Sequence, residues 1–377
     1  MARTSFVPNP VKIKVIGLGG GGCNAISRMV RQDIKGVEFI AMNTDAQALA
    51  TTEAPVRVQL GDKLVRGLGV GGDPVMGQKA AEESRDEIRE LVSGADMVFI
   101  TAGMGGGSGT GAAPVVADIA MQAGALTIAV VTRPFTFEGT RRAEVANEGI
   151  TRLLDKVVDT LIIIPNDRLL ELCDPKTGVD EAFRMADDVL SHGVQAIAQV
   201  ITVPGMINLD FADVKAIMKD AGPAWMSIGQ GSGQSRAVDA AKAALASPLL
   251  DVSVAGSKGV LFNVVGGESL TLFEVNEAAE VIKAAVDPEA NIIFGVVRDN
   301  SMDKEVKITL IATGFEARNE LPGADQEKDD EFNRYLKEWK AEDQLDIPAF
   351  LRRPLYNQRR LSVSPRASKP PVRNFPY

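Results

Sequence analysis

The residues best suited to chemistry in this chain are a run of glycines with two hydroxyls, Gly103-Met104-Gly105-Gly106-Gly107-Ser108-Gly109-Thr110-Gly111. Glycine admits positive φ and lets a ligand come close to the backbone. The apolar stretch Met97–Ala102 precedes the loop and reads as a buried strand. Residues Ala112–Ala123 follow as a helix, with Pro114 tolerated in its first turn. The free N–H groups of such a loop, together with the helix dipole, favour an anion, and phosphate is the natural guest. No lysine follows in the Gly-x-x-x-x-Gly-Lys-[Ser/Thr] manner, so this is not the common P-loop.

A second strand–glycine–helix unit lies near the start. Val11–Ile16 alternates as a strand, runs into Gly17-Leu18-Gly19-Gly20-Gly21-Gly22-Cys23-Asn24, and Ala25–Gln32 continues as a helix. Taken alone this fits the dinucleotide fingerprint, with Asp45, 23 residues past Gly22, where a ribose-binding acid belongs. A nicotinamide-dependent oxidoreductase is therefore the alternative reading. It leaves the 103–111 loop unused.

The other candidates are acids and amides. Asp210 and Asp213 sit where a loop, Asn208 to Asp213, enters a helix. Asp210 reads there as an N-cap and Asp213 as a first-turn acid. Asp187 and Asp188 fall beside the apolar stripe of a long helix over 179–201, marked by Phe183, Ala186, Val189, Leu190, Val194 and Ile197. His192, the only histidine, lies off that stripe and reads as a surface residue.

The elements that must position these groups alternate strand and helix. Further strands read at Phe39–Asn43, Ala125–Val131 and Thr160–Pro165, a charged surface helix at 76–92, and a third glycine loop at Gly67–Asp73. The alternation implies a largely parallel, doubly wound sheet, which binds ligands outside the carboxyl ends of its strands. A second α/β region follows, with strands near 259–265, 291–297 and 305–312 and a helix near 271–285.

The net charge of −9 argues against a generic nucleic-acid-binding body. The two cysteines, Cys23 and Cys173, make no metal-spaced cluster, and a reducing cytoplasm fits them. No apolar run approaches the roughly 18 residues of a spanning helix, so any membrane link is expected to be indirect. After Thr313 the composition changes. Residues 316–346 carry eleven acids against five bases, and 351–377 carry seven bases and no acid.

Taken together, Gly19–Asn24, Asn43-Thr44-Asp45, the 103–111 loop, Pro134–Arg142, Pro165-Asn166-Asp167, Asn208–Asp213 and Asp346-Ile347-Pro348-Ala349-Phe350-Leu351-Arg352-Arg353 resemble the FtsZ family, the bacterial tubulin relatives of the cell-division ring. The likeness covers roughly residues 11–315 and the peptide at 346–353. It implies a flexible arm at 1–10, a GTP-binding domain at 11–178, a central helix at 179–206, a smaller α/β domain at 207–315, an acidic linker at 316–345, a partner-binding peptide at 346–353 and a basic disordered tail at 354–377. It implies GTP and GDP as ligands, with Mg2+ carried by the nucleotide. By resemblance Gly20, Gly21, Gly22 and Asn24 form one phosphate loop and Gly107, Ser108 and Gly109 the other. Glu138 and Arg142 match ribose and phosphate contacts, Asn166 and Asp187 guanine readers, and Phe183 a stacking ring. Asp210 and Asp213, with Asn208, match the loop that enters the neighbouring subunit's site and activates the attacking water. A head-to-tail homopolymer in the cytoplasm, at the division site, is implied. Membrane-tethering and regulatory division proteins would dock on 346–353. The basic tail is free to attract anionic lipid or nucleic acid. The family usually has glycine where Cys23 stands, threonine where Ser108 stands and an acid where Gln234 stands. A non-hydrolysing filament-forming paralogue would lack the 208–213 acids, which this chain keeps.

Overall fold

The computed structural model describes residues 11–315 apart from 156, 175, 204–206, 208 and 251–253. The arm at 1–10 and the expected linker, peptide and tail beyond 315 lie outside the described residues, as does Asn208.

The chain opens with β1 (Ile13–Leu18), α1 (Gly19–Arg31), β2 (Val37–Asn43), α2 (Ala46–Thr51), β3 (Val56–Gln59) and α3 (Asp62–Val65). It continues through α4 (Pro74–Glu83), α5 (Arg85–Val92), β4 (Met97–Gly103), α6 (Ser108–Gln122), β5 (Leu126–Arg133), α7 (Thr140–Leu154), β6 (Thr160–Pro165) and α8 (Asn166–Leu170). The long helix α9 (Val179–Thr202) and the short α10 (Phe211–Met218) come next. The last elements are β7 (Gly222–Ser232), α11 (Arg236–Leu245), β8 (Gly259–Gly266), α12 (Leu272–Ala285), β9 (Asn291–Arg298) and β10 (Glu305–Thr313).

Among the described residues, ten strands form one sheet in the order β3-β2-β1-β4-β5-β6-β7-β10-β8-β9. Every pairing from β3 to β7 is parallel, as is β8 with β9, and β10 runs antiparallel to both β7 and β8. The expected mostly parallel, doubly wound sheet is present. The strands nearest the middle are apolar along their whole length because helices cover both faces. Met97 to Ala102 of β4 and Leu126 to Thr132 of β5 are all buried. Between β6 and β7 the ladder is short, three pairs from Thr160–Gly222 to Ile162–Ala224. The β7–β10 ladder beside it has nine.

The core is continuous from α1 through β1, β4 and β5 to α9, whose Ala186, Val189, Leu190, Val194 and Ile197 are buried as the 3.6-residue period requires. A second apolar cluster lies under α11 and α12, built from Ala237, Ala240, Phe262, Val264, Ile282 and Ile308.

Several boundaries differ from the sequence expectation, each for a local reason. Helix α1 starts at Gly19, not Ala25, so the glycines are its own first turn. Helix α6 starts at Ser108, which puts Pro114 in its interior and leaves the Thr110 carbonyl without an amide partner four residues on. The single helix expected over 76–92 is two, because Ser84 breaks the run and caps the first with its backbone N–H. His192 is mostly buried rather than a surface residue. It lines a cavity of about 410 Å3 with Asn263, Asp299 and Lys307, and burial pushes its pKa down to about 4.

Strand β7 is poor in strand formers and rich in glycine, and its packing explains why. Helix α11 lies almost on the strand's backbone. A Cβ on Gly229 would run into the Ala240 carbonyl oxygen, and one on Gly231 into that of Arg236. The facing helix positions are the small Ala237, Ala240, Ala241 and Ala244. We expect Gly229→Ala to lower stability by about 1–3 kcal/mol through overpacking. A urea midpoint shift at unchanged m-value would measure it. Gly256→Ala, where a Cβ meets nothing and φ is ordinary, should shift the midpoint very little.

Candidate functional site

Strands β1 and β4 are neighbours, yet their crossovers leave in opposite directions. The first six strands have the doubly wound order 3-2-1-4-5-6, so β1/β4 is the switch point where such sheets take their ligand. Both glycine loops begin there, one after each strand.

The two loops touch through their backbones. A Cβ on Gly22 would strike the Thr101 carbonyl oxygen, and one on Gly19, at φ 66°, would stand 2.8 Å from the Gly109 amide nitrogen. Nothing lies within 4 Å of such an atom at Gly20, so one side of the loop is open. The Ser108 and Thr44 hydroxyls hydrogen-bond to each other, which ties the second loop to the end of β2. The third glycine loop braces the second: Gly107 packs against Val70 and the backbone of Asp73. The start of α1 and the start of α6 therefore converge, each contributing unpaired N–H groups and a positive dipole end. That arrangement suits a polyphosphate held by backbone amides.

The next strands deliver the remaining candidates to the same edge. After β5, residues 136–138 form one 3-10 turn. The Glu138 carboxylate accepts the Phe135 amide at 2.9 Å and pairs with Arg142 Nη1 at 3.0 Å. Arg142 in turn closes over Gly105, whose added Cβ would contact the Arg142 backbone and side chain. Asn166 opens α8 at the end of β6. It is buried, and its Oδ1 has no hydrogen-bond partner. Helix α9 passes the same edge. Phe183 meets Phe135 edge-on with centroids 5.4 Å apart, and Phe135 stacks on Phe137 at 4.9 Å. One turn later Asp187 lies within reach of α1: its Oδ2 is 3.7 Å from Arg28 Nε. Burial pushes the Asp187 carboxyl up to about 6, with Arg28 opposing and Asp188 adding to the rise.

So Gly20, Gly21, Gly22, Asn24, Gly107, Ser108, Gly109, Glu138, Arg142, Asn166, Phe183 and Asp187 gather at the carboxyl edge of the sheet. Asp210 and Asp213 do not join them. Helix α9 carries the chain away, and fifteen residues separate Asp187 from Thr202, about 22 Å of helix. The Thr202 hydroxyl bonds the Lys35 carbonyl, just before β2 begins. The Leu209 amide donates to Val200, and Met218 accepts from Thr160 at the start of β6. Both acids thus stand at the amino edge, exposed. Asp210 occupies the N-cap of α10 with extended dihedrals, but its carboxylate makes no capping hydrogen bond. Asp45 does cap, accepting the Gln47 and Ala48 amides, so the acid read as a ribose ligand has a structural task.

Arg28 lies outside every motif singled out in the sequence, and Phe135 and Phe137 fall inside Pro134–Arg142 without a role assigned to them there. The only signal for Arg28 is its place four residues after Asn24, one turn along the same helix face. Cys23 sits inside α1 with ordinary helical dihedrals, as a non-glycine residue there requires.

Comparison with known proteins agrees with this geometry. Residues 12–174 match the family model for the Tubulin/FtsZ family, GTPase domain, and residues 222–316 that for the FtsZ family, C-terminal domain. The structure of an empty FtsZ dimer from M. jannaschii is 44% identical to this chain, with 84% of this chain and 96% of that one covered at a TM-score of 0.81. A tryptophan-to-tyrosine mutant of FtsZ from M. jannaschii is 46% identical over 83% of this chain and 94% of that one, at a TM-score of 0.79. CetZ2 from Haloferax volcanii, as a GTPγS-bound protofilament, shares the fold at 19% identity and a TM-score of 0.69, with 88% of this chain and 99% of that one covered. The two family matches contain all ten strands between them, and the chain belongs to the FtsZ family of tubulin-like, GTP-hydrolysing cytoskeletal proteins.

Proposed function

We propose that GTP binds across the β1/β4 switch point and is hydrolysed where a second copy of the chain brings Asp210 and Asp213 to the γ-phosphate. The observation that carries this reading is the separation of the two groups. The glycine loops stand at one edge of the sheet and the acids at the other, with α9 between them. No single copy can close such a site. Two copies stacked head to tail can, and this heterologous contact repeats into an open filament. The M. jannaschii relative forms a dimer, which supports self-association here.

On this reading the amides of Gly20–Gly22 and Gly107–Gly109 cradle the phosphates, with Asn24 and the Ser108 hydroxyl beside them. Arg142 meets phosphate and Glu138 the ribose. Phe183 stacks on the base. Asp187 accepts from the N1–H and N2–H edge of guanine, which adenine lacks, and Asn166, whose Oδ1 has no partner, reads the same base. Asp210 and Asp213, with Asn208, orient and deprotonate the water. No three carboxylates, imidazoles or thiols among the described residues converge on one point. The Mg2+ that accompanies GTP would then take its ligands from phosphate oxygens and water, a coordination that suits this reluctantly dehydrated ion. The parts divide as a nucleotide-binding domain over 11–178, a central helix over 179–206 and an activating α/β domain over 207–315. We place the protein in the cytoplasm, assembling at the division site under the membrane. Among the described residues no helix is long and apolar enough to cross a membrane. Tethering and regulatory division proteins dock on 346–353, where Ile347, Phe350 and Leu351 offer apolar anchors, and the basic 354–377 extension draws on anionic lipid or nucleic acid.

Asp210→Ala or Asp213→Ala should keep GTP affinity within about twofold while phosphate release falls by roughly 10²–10⁴, the worth of a positioned acid or base. Lost affinity with normal turnover of bound GTP would contradict the assignment. Phosphate release per molecule should rise with protein concentration in step with light scattering. A specific activity that is flat from far below to far above the assembly threshold would remove the shared site. Deleting 345–377 should leave both readings nearly unchanged, and Phe350→Ala in the isolated tail should abolish protein docking but not a salt-sensitive attraction to anionic vesicles.

A further inference from the structure

Guanine selection by a carboxylate poses an electrostatic difficulty that this structure answers in an unexpected place. An acid that accepts two N–H groups must be ionised, and burial opposes ionisation. Asp187 is only 17% exposed at its side chain, and a second acid, Asp188, follows it directly. The charged group that reaches both comes from α1. Arg28 Nη1 donates to Asp188 Oδ1 at 2.6 Å, while its Nε stands 3.7 Å from Asp187 Oδ2. The Arg28 side chain is itself three-quarters covered, so its field is less screened than that of a surface pair.

We propose that Arg28 is a positioning residue for guanine specificity: it bridges α1 to α9, neutralises Asp188 and holds the Asp187 carboxylate charged and oriented toward the base. This rests on the assignment of Asp187 to the guanine edge made above.

The charged groups around Asp187 are Arg28 on α1 and Asp188 on α9, and the adjoining cavity is also lined by Arg31, Glu181 and Arg184. Burial raises Asp187 to about 6, Arg28 opposes that rise, and Asp188 increases it. The carboxylate is present above this pKa, so guanine preference must fall as pH drops through it. Removing Arg28 takes away the opposing charge and frees Asp188 to repel, and both changes move the fall to higher pH. Because Arg28 leaves α1 one turn after Asn24, the helix that starts the phosphate loop also sets the charge state of the base reader.

The test is equilibrium binding of GDP and of IDP, which lacks the 2-amino group, to the full chain between pH 5.5 and 8.5. Wild type should prefer GDP, with the preference shrinking toward pH 6. Arg28→Met should lose roughly fivefold to tenfold of that preference at pH 6.5, recover it to within about twofold at pH 8.5, and show its midpoint shifted upward. Arg28→Lys should keep most of it. Asp188→Asn, which removes the repelling neighbour, should move the midpoint down, and it decides the matter if Arg28→Met does not fold. Asp187→Ala tests the underlying reading by itself. If it retains the GDP preference, the base assignment falls. If it erases the preference while Arg28→Met and Asp188→Asn leave the midpoint in place, the Arg28 proposal alone is overturned. An equal loss of GDP and IDP affinity at every pH in Arg28→Met would also overturn it, reducing Arg28 to a packing contact between α1 and α9.

Discussion

Two backbone segments that lie too close for side chains hold this molecule together at its functional edge. The first turn of α1 meets strand β4 at Gly22 and Thr101, and the first turn of α6 at Gly19 and Gly109, where a single methyl group would push them apart. Parallel strands that are hydrogen-bonded neighbours bring their ends to within one strand spacing, about 4.8 Å. Two helices can start from that spot only if glycine stands wherever their first turns touch. The consequence is chemical: the same lack of side chains that permits the contact leaves a double row of amide donors facing outward, with no lysine needed. The Gly67–Asp73 loop presses Val70 against Gly107 from behind, so the row is supported and not merely permitted.

Helix α9 converts this local arrangement into a long-range one. Its first half carries Phe183 and Asp187 to the carboxyl edge of the sheet, and its last turn bonds the loop before β2 at the other edge. The buried stripe along its length leaves little freedom to shift by less than a turn, because interiors are packed like crystals. The helix therefore fixes the separation of the two edges, and the distance it sets exceeds the reach of any side chain.

Much of this was legible in the chain itself. The apolar runs of β4, β5 and β6 have lengths and flanks that admit little else, and the stripe of α9 is regular over six positions. Glycine-rich segments were the difficult part. The 19–22 stretch reads as loop from composition, yet it winds as the first turn of α1, because helix N-termini tolerate residues that propensity alone would reject. Strand β7 carries Gly-Pro-Ala-Trp-Met-Ser-Ile-Gly-Gln-Gly-Ser, with no period-two signal, and only the approach of α11 accounts for it. His192 misled because position on a helical wheel says nothing of a second covering layer, which β8, β10 and the residue just after β9 supply through Asn263, Lys307 and Asp299. Arg28 was invisible for a related reason. An arginine on an amphipathic helix is ordinary, and its worth lies in what a helix 160 residues away brings beside it.

Cys23 shows how burial decides the reactivity of a thiol at the start of α1. A thiol near a helix N-terminus ordinarily acidifies and becomes a target for oxidants and electrophiles. Here the side chain is 2% exposed, its Sγ faces the carbonyls of Gly17 and Met42, and burial pushes its pKa up to about 11. At neutral pH only about one molecule in ten thousand would carry the thiolate that peroxide, glutathione disulfide or an alkylating agent attacks. Burial thus keeps the one thiol of the Gly17–Asn24 segment from acidifying as its place near a helix N-terminus would otherwise dictate.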